Sequence, residues 1–331
     1  MKATLKDVAE EAGVSKALVS KFLAGTSDAR MRDETRKRIE EAVRKCHYLP
    51  SKLARSLKSG RTQTIGLVIS ELRNAFWSAF ADLALREARK HGYRLLISLC
   101  DYDRKEELES LRTLAEYRVD GILYCELLSG GELAEQLHRE AFPMMLMYQK
   151  SGLFHSAAID YRKALEQAVV YLAGRGHRRI FCIHSEYSAW PDVLETECGR
   201  AGMALDVCCI PSDPEEWTEL LRQVCRQAPS AVLLSGWRSA VLFLQVIRQE
   251  FPQYRPEIVA NCHFDHPAFA DPRIAGLIRN EFEQLIRESV RVLIRMIQGE
   301  EGMDLRPEAE FACAEELRRR KQESGPHYFL Y

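Results

Sequence analysis

Residues 4–23 constrain this 331-residue chain more than any other stretch. Leu5, Val8, Ala9 and Ala12 recur at helical spacing, and Thr4 with Asp7 forms a capping-box pattern in which Thr4 accepts the Asp7 amide. Gly13 supplies a residue that tolerates positive φ, and Ser15 stands where it caps a second helix whose Val19, Phe22 and Leu23 face a small core. Two short helices around a Gly13-Val14 turn read as a helix-turn-helix. Lys16, Ala17, Ser20 and Lys21 lie on its outer side, the face a recognition helix presents to base edges and phosphates. A third helix, predicted over residues 33–46, turns Ile39, Val43 and Cys46 inward and Arg36, Lys37, Arg38 and Arg44 outward. The competing reading is a plain three-helix packing unit with a solvated basic face.

Charge favours the DNA reading. Residues 1–62 hold 15 Lys and Arg against 8 Asp and Glu, whereas the remainder holds 32 against 40, so a net charge of −1 conceals a basic head on an acidic body. Such a head releases counterions from DNA, and its binding weakens steeply with salt.

From Gln63 onward, short apolar runs alternate with longer amphipathic stretches: residues 65–70, 75–91, 94–99, 105–117 and 121–125, then on to a long amphipathic helix near 281–297 and a strand near 310–314. This is the βαβ rhythm of a parallel, Rossmann-like sheet. About 270 residues exceed one average domain, so two α/β lobes are the natural partition.

Several segments together resemble the lactose-repressor/galactose-repressor (LacI-type) family of bacterial transcription regulators. They are Leu5-Lys-Asp-Val-Ala-Glu-Glu-Ala-Gly-Val-Ser15, Val19-Ser-Lys21, Asp33-Glu-Thr-Arg36, Tyr48-Leu-Pro50, Leu53-Ala-Arg-Ser-Leu57, Gly60-Arg-Thr62, Thr64-Ile-Gly-Leu-Val68, Asp120-Gly-Ile122 and Gly176-His-Arg-Arg-Ile180. The resemblance implies an all-α helix-turn-helix head over residues 1–50, a hinge helix or linker over 51–62, and a two-lobed periplasmic-binding-protein-like effector and dimerisation domain over 63–331. Lobe 1 is then expected near 63–158 and 287–317, and lobe 2 near 159–286 and 318–331, with crossings near 158–160, 284–288 and 316–320.

The same resemblance assigns roles. Residues 51–59 are too short for a stable isolated helix and are expected to fold only on DNA, with Leu57 wedged into the minor groove beside Ala54 and Arg55. Thr4, Ser15, Lys16, Ala17, Ser20 and Lys21 complete the expected DNA contacts. Lys21 replaces a common arginine, offering guanine a point charge without a fork. Arg32 takes the place of a capping serine, with Asp33 as a substitute cap.

Ligands of open α/β sheets collect beyond the carboxyl ends of the strands, so the interlobe cleft is the effector candidate. The ligand-binding residues implied there are Asn74, Phe76, Trp77, Tyr148, Trp190, Trp217, Trp237, Arg238 and Phe264. Gly236-Trp-Arg-Ser239 and Cys262-His-Phe-Asp265 replace segments that carry acidic acceptors for sugar hydroxyls in relatives. Rings plus one cation suit an aromatic, flat or anionic small molecule better than a neutral hexose. The alternative is that Trp190, Trp237 and Phe264 fill the cleft and no effector binds.

No nucleotide-cradling glycine motif and no Gly-x-Ser-x-Gly elbow appears, so no enzyme chemistry and no cofactor are expected. Ten cysteines without Cys-x-x-Cys spacing give no zinc template, and most are expected as buried thiols, with Cys262, in the altered loop, the candidate for a redox role. With no signal segment or membrane span in the sequence, a bacterial cytoplasm is implied. The expectation is a DNA-binding repressor that pairs as a homodimer on a palindromic operator; residues 324–331 lack the leucine heptads of tetrameric relatives. A cytoplasmic solute-binding protein with a vestigial head is the rival from another class.

Overall fold

The computed structural model describes residues 3–23, 31–48, 56, 60–73, 75–125, 132–148, 153–185, 188–211, 216–262, 267–317 and 319. Contacts divide the chain into Met1–Gln63 and Thr64–Tyr331.

In the first unit, α1 (Leu5–Ala12), α2 (Lys16–Leu23) and α3 (Asp33–Lys45) enclose Val8, Ala9, Ala12, Val19, Ile39 and Ala42. The capping box at Thr4 is reciprocal. Thr4 N donates to Asp7 Oδ2 at 2.7 Å and Asp7 N donates to Thr4 Oγ1 at 3.4 Å, which holds the Asp7 carboxyl below its usual range. Gly13 closes α1 at φ +62°, and Ser15 Oγ accepts from Leu18 N at 3.2 Å to start α2. Two expectations for α3 change. Arg32 precedes α3 without a side-chain cap, and Asp33 is its first helical residue rather than its cap, where its charge complements the helix dipole. Arg38 does not simply face outward: its Nη2 donates to Ala12 O at 2.5 Å and lies close to Gly13 O, so it completes the exposed end of α1.

The second unit contains, in order, β1 (Thr64–Ile69), α4 (Ala75–Lys90), β2 (Arg94–Leu99), α5 (Arg104–Glu116), β3 (Gly121–Tyr124), α6 (Glu132–Arg139), β4 (Met144–Met147), β5 (His155–Ala157) and α7 (Arg162–Gly174). It continues with β6 (Arg179–Ser185), α8 (Trp190–Ala201), β7 (Ala204–Ile210), α9 (Trp217–Gln227), β8 (Ala231–Leu234), α10 (Trp237–Glu250), β9 (Glu257–Cys262), β10 (Ile274–Arg279), α11 (Phe282–Ile297) and β11 (Glu310–Cys313). The strands form two sheets, β2-β1-β3-β4-β5 and β11-β10-β9-β8-β6-β7, parallel throughout except for the antiparallel pair β10–β11.

Both sheets are covered on two faces, which is why their central strands read as unbroken apolar runs. In lobe 1, Leu123 packs with α4 and α11 on one face, while Ile122 and Tyr124 pack with α5 on the other. In lobe 2, Ile183 and Leu234 face α9 and α10, and Cys182 and Leu233 face α7 and α8.

The chain changes lobes after β5, between β10 and α11, and between α11 and β11. Bridges Ala157 to Leu305 and Asp160 to Glu308 lay the first and third crossings side by side. The second and third crossings therefore come earlier than the expected 284–288 and 316–320. Phe282 already belongs to the lobe 1 core, and β11 already pairs in the lobe 2 sheet. Strand periodicity locates β11 but carries no information about the sheet it joins.

Candidate functional site

On the head, Ser15, Lys16, Ala17 and Lys21 are exposed and Ser20 is half-buried, so the amino-terminal turn of α2 and its outer face are presented together. Thr4 is exposed with its hydroxyl engaged by Asp7, which places it in the cap. Arg36, Lys37 and Arg44 add an exposed basic face along α3. Ala54, Arg55 and Leu57 lie outside the described residues. Beside them, Gly60 N donates to Ser56 O at 2.8 Å, a bond of α-helical spacing.

In the second unit three of the candidate residues, Phe76, Trp77 and Tyr148, come together beyond the carboxyl ends of β1 and β4. Phe76 and Trp77 open α4 after β1, and Tyr148 follows β4. Their rings form one cluster, with centroids 4.8 Å apart for Phe76–Trp77, 5.5 Å for Phe76–Tyr148 and 5.0 Å for Phe76–Phe282. Trp77 is largely core, whereas Phe76 and Tyr148 are half-buried at its edge. Tyr148 sits at φ +63°, a strained value for a non-glycine residue, with its N–H donating to Ala157 O at 2.6 Å. Its Oη is buried and has no hydrogen-bond partner among the described residues. Burial pushes this phenol well above its usual range, with Cys125 and Tyr161 adding to the shift.

Tyr161, before α7, lies on the other lobe. Burial lifts its phenol to about 12 against the opposing hydrogen bonds of Asn261 and Asn280. Asn261 Nδ2 donates to Tyr161 Oη at 3.3 Å and to Ser235 O at 2.9 Å, and Asn280 Nδ2 donates to Asn261 Oδ1 at 3.4 Å.

The remaining candidates separate. Trp190 is 2 % exposed and packs in the lobe 2 core, 5.6 Å from the Tyr161 ring, so its ring is core and not one presented to a ligand. Trp237 is half-buried against the core beneath α10. Trp217 donates its Nε1 to Pro211 O at 2.8 Å, and the Arg238 guanidinium lies 5.2 Å over its ring. Arg238 Nη1 also reaches Glu71 Oε1 at 3.5 Å, an ion pair between the lobes. Asn74 and Phe264 lie outside the described residues.

Glu71, Tyr161, Asn261 and Asn280 escaped the sequence reading. Asn261 carried a visible signal, a polar residue inside the apolar run of β9; Glu71 carried only its place just after β1.

Among the described residues no cluster of His, Cys, Asp and Glu suited to a metal occurs. All ten cysteines are free thiols and Cys262 is buried. Burial raises Cys182 and Cys225 to about 12 and Cys198 to about 11, which leaves them unreactive at neutral pH.

Residues 4–51 match the model of bacterial regulatory proteins of the lacI family, and residues 62–195 match that of periplasmic binding proteins and the sugar binding domain of the LacI family. The chain belongs to the LacI family. Among LacI-family relatives, the HTH-type transcriptional regulator PtxS of Pseudomonas aeruginosa is 36% identical over 183 residues, 54% of this chain and 53% of that protein. The chain thus spans about half the length of that relative. The regulator AscG of Escherichia coli is 28% identical over 315 residues, 89% of this chain and 92% of AscG. Among solved folds, the Lac repressor bound to ONPG in its repressed state superposes with a TM-score of 0.80 at 18% identity, covering 94% of this chain and 98% of that one.

Proposed function

We propose that this LacI-family chain is a transcription regulator that represses by binding a palindromic operator as a homodimer in the bacterial cytoplasm. We further propose that a small molecule in the interlobe cleft controls it. The observation that carries the DNA reading is α2 itself. Its Ser15 cap and the Gly13 turn aim an exposed Lys16-Ala17 start and Lys21 along one face, with the exposed cations of α3 in the same small unit. Among the described residues no helix is long and apolar enough to cross a membrane.

For the effector, the support is chemical. The cleft edge carries rings, phenols, two asparagines and Arg238, a set that suits a flat or anionic molecule better than a neutral sugar. The Glu71–Arg238 pair favours a second reading, a cleft closed on its own side chains with no effector.

Selection of bound sequences from a random DNA pool by the full-length chain, at about physiological ionic strength, tests the function. Enrichment of a palindrome is expected. Failure to enrich any sequence, with and without added cell metabolites, would instead support a solute-binding protein with a vestigial head.

A further inference from the structure

Glu71 and Arg238 meet from opposite lobes in a loose pair. The Glu71 side chain is 12% exposed, so its carboxylate has given up most of its water, yet among the described residues neither oxygen gains a short bond in return. Oε1 is 3.5 Å from Arg238 Nη1 and Oε2 is 3.4 Å from Nε of the exposed Arg73. Charge-assisted bonds between guanidinium and carboxylate normally close to about 2.7–2.9 Å and use both forks. Arg238, by contrast, is well placed to hold an anion: its guanidinium is braced over Trp217, whose own N–H is engaged by Pro211 O, and its side chain remains 43% exposed. The braced cation is the built part of the site and the carboxylate facing it is loosely engaged.

We infer that Glu71 is an internal stand-in for the carboxylate of the cleft's ligand. This rests on the reading of the cleft as an effector site and names the ligand class, a small organic carboxylate. In the free chain Glu71 engages Arg238 and ties the lobes together. A ligand carboxylate takes the two-pronged position on Arg238 that Glu71 fills poorly, displacing it. Because the pair is partly exposed, Glu71 competes only weakly, within reach of a small molecule.

Benzoate and its neutral counterpart benzamide serve as probes, titrated by calorimetry into the full-length chain and into E71Q, R238Q and the charge-swapped E71R/R238E. Removing the competitor in E71Q should tighten benzoate binding by up to about fivefold, R238Q should abolish it, and benzamide should discriminate among none of the chains. In the charge-swapped chain, preference should pass from benzoate to benzylammonium. Equal benzoate affinity in E71Q and the unsubstituted chain, binding retained in R238Q, or no benzoate binding to E71Q would each overturn the inference. Operator affinity measured on the same proteins tests the underlying reading separately. If benzoate competes with Glu71 but operator affinity responds to neither benzoate nor R238Q, the anion site stands and the effector reading falls. If R238Q shifts operator affinity while benzoate ignores Glu71, the reverse holds.

Discussion

Arg291 Nε donates to the Glu87 carboxylate at 2.8 Å and so ties α11, which the chain reaches only after building most of lobe 2, to α4. Glu87 is 1 % exposed and also accepts from Lys90 Nζ at 2.7 Å. Burial alone would raise its pKa, but the hydrogen bonds from Lys90 and Arg291 outweigh burial and hold it at about 2, below the usual 4.5.

This pair predicts an acid-labile lobe 1. A carboxyl whose folded pKa is depressed contributes stability above its unfolded value and loses it as pH falls through the folded one. Stability on the order of 3 kcal/mol should therefore disappear between about pH 5 and pH 2. Denaturant titrations across that range should show the loss in the unsubstituted chain and a profile flattened by about that amount in Glu87→Gln, which starts less stable at pH 7, while Asp271, also held at about 2, contributes equally to both. An equally steep profile in both chains would assign the acid sensitivity elsewhere.

Tyr148 makes the opposite kind of prediction, since its buried hydroxyl has no partner among the described residues. Tyr148→Phe removes an unsatisfied polar atom while keeping the ring against Phe76 and Trp77, and should stabilise the chain by about 1 kcal/mol. Scanning calorimetry reads this as a higher Tm. A lower Tm would mean that the hydroxyl is satisfied in solution.

Arg38 supports the head from within. Arg38→Ala leaves the Ala12 carbonyl without its guanidinium donor and should cost about 1 kcal/mol locally. Hydrogen exchange on the full chain should speed up in α1 and α2 and stay unchanged in the lobe 1 sheet. Arg38→Lys should recover only part of the protection, because a point charge lacks the guanidinium fork.

For Lys21, on the outer face of α2, replacement by alanine should lower affinity for the enriched operator and relax the base preference it faces. The slope of log affinity against log salt should fall by about one if Lys21 contacts phosphate and by less if it contacts a base. Unchanged selectivity and unchanged slope together would remove it from the interface.

How legible each part was depends on the span of the interaction behind it. The head was readable because Thr4–Asp7, Ser15–Leu18 and the Gly13 turn are bonds between residues three to five apart, so composition and spacing already contain them. The helical and strand periods of the larger unit were equally local, and β1, β2, β3 and β11 coincide with apolar runs of the sequence, whereas β7 and β10 did not stand out in it. Trp190 and Arg238 looked alike in the sequence, both aromatic or cationic departures near strand ends. Packing separated them, sending one into the lobe 2 core and the other to the boundary between the lobes, against Glu71.

By itself, the sequence determined the caps, the turn, the basic head on an acidic body and the alternation of strand with helix, since propensity, capping and charge act within a few residues. Only the tertiary structure decided that α11 returns to lobe 1, that β11 closes the lobe 2 sheet, and that Glu71 faces Arg238 while Glu87 faces Arg291. Those outcomes depend on which apolar faces cover which sheet and on buried charges finding partners more than a hundred residues away, and no local pattern in the chain encodes either.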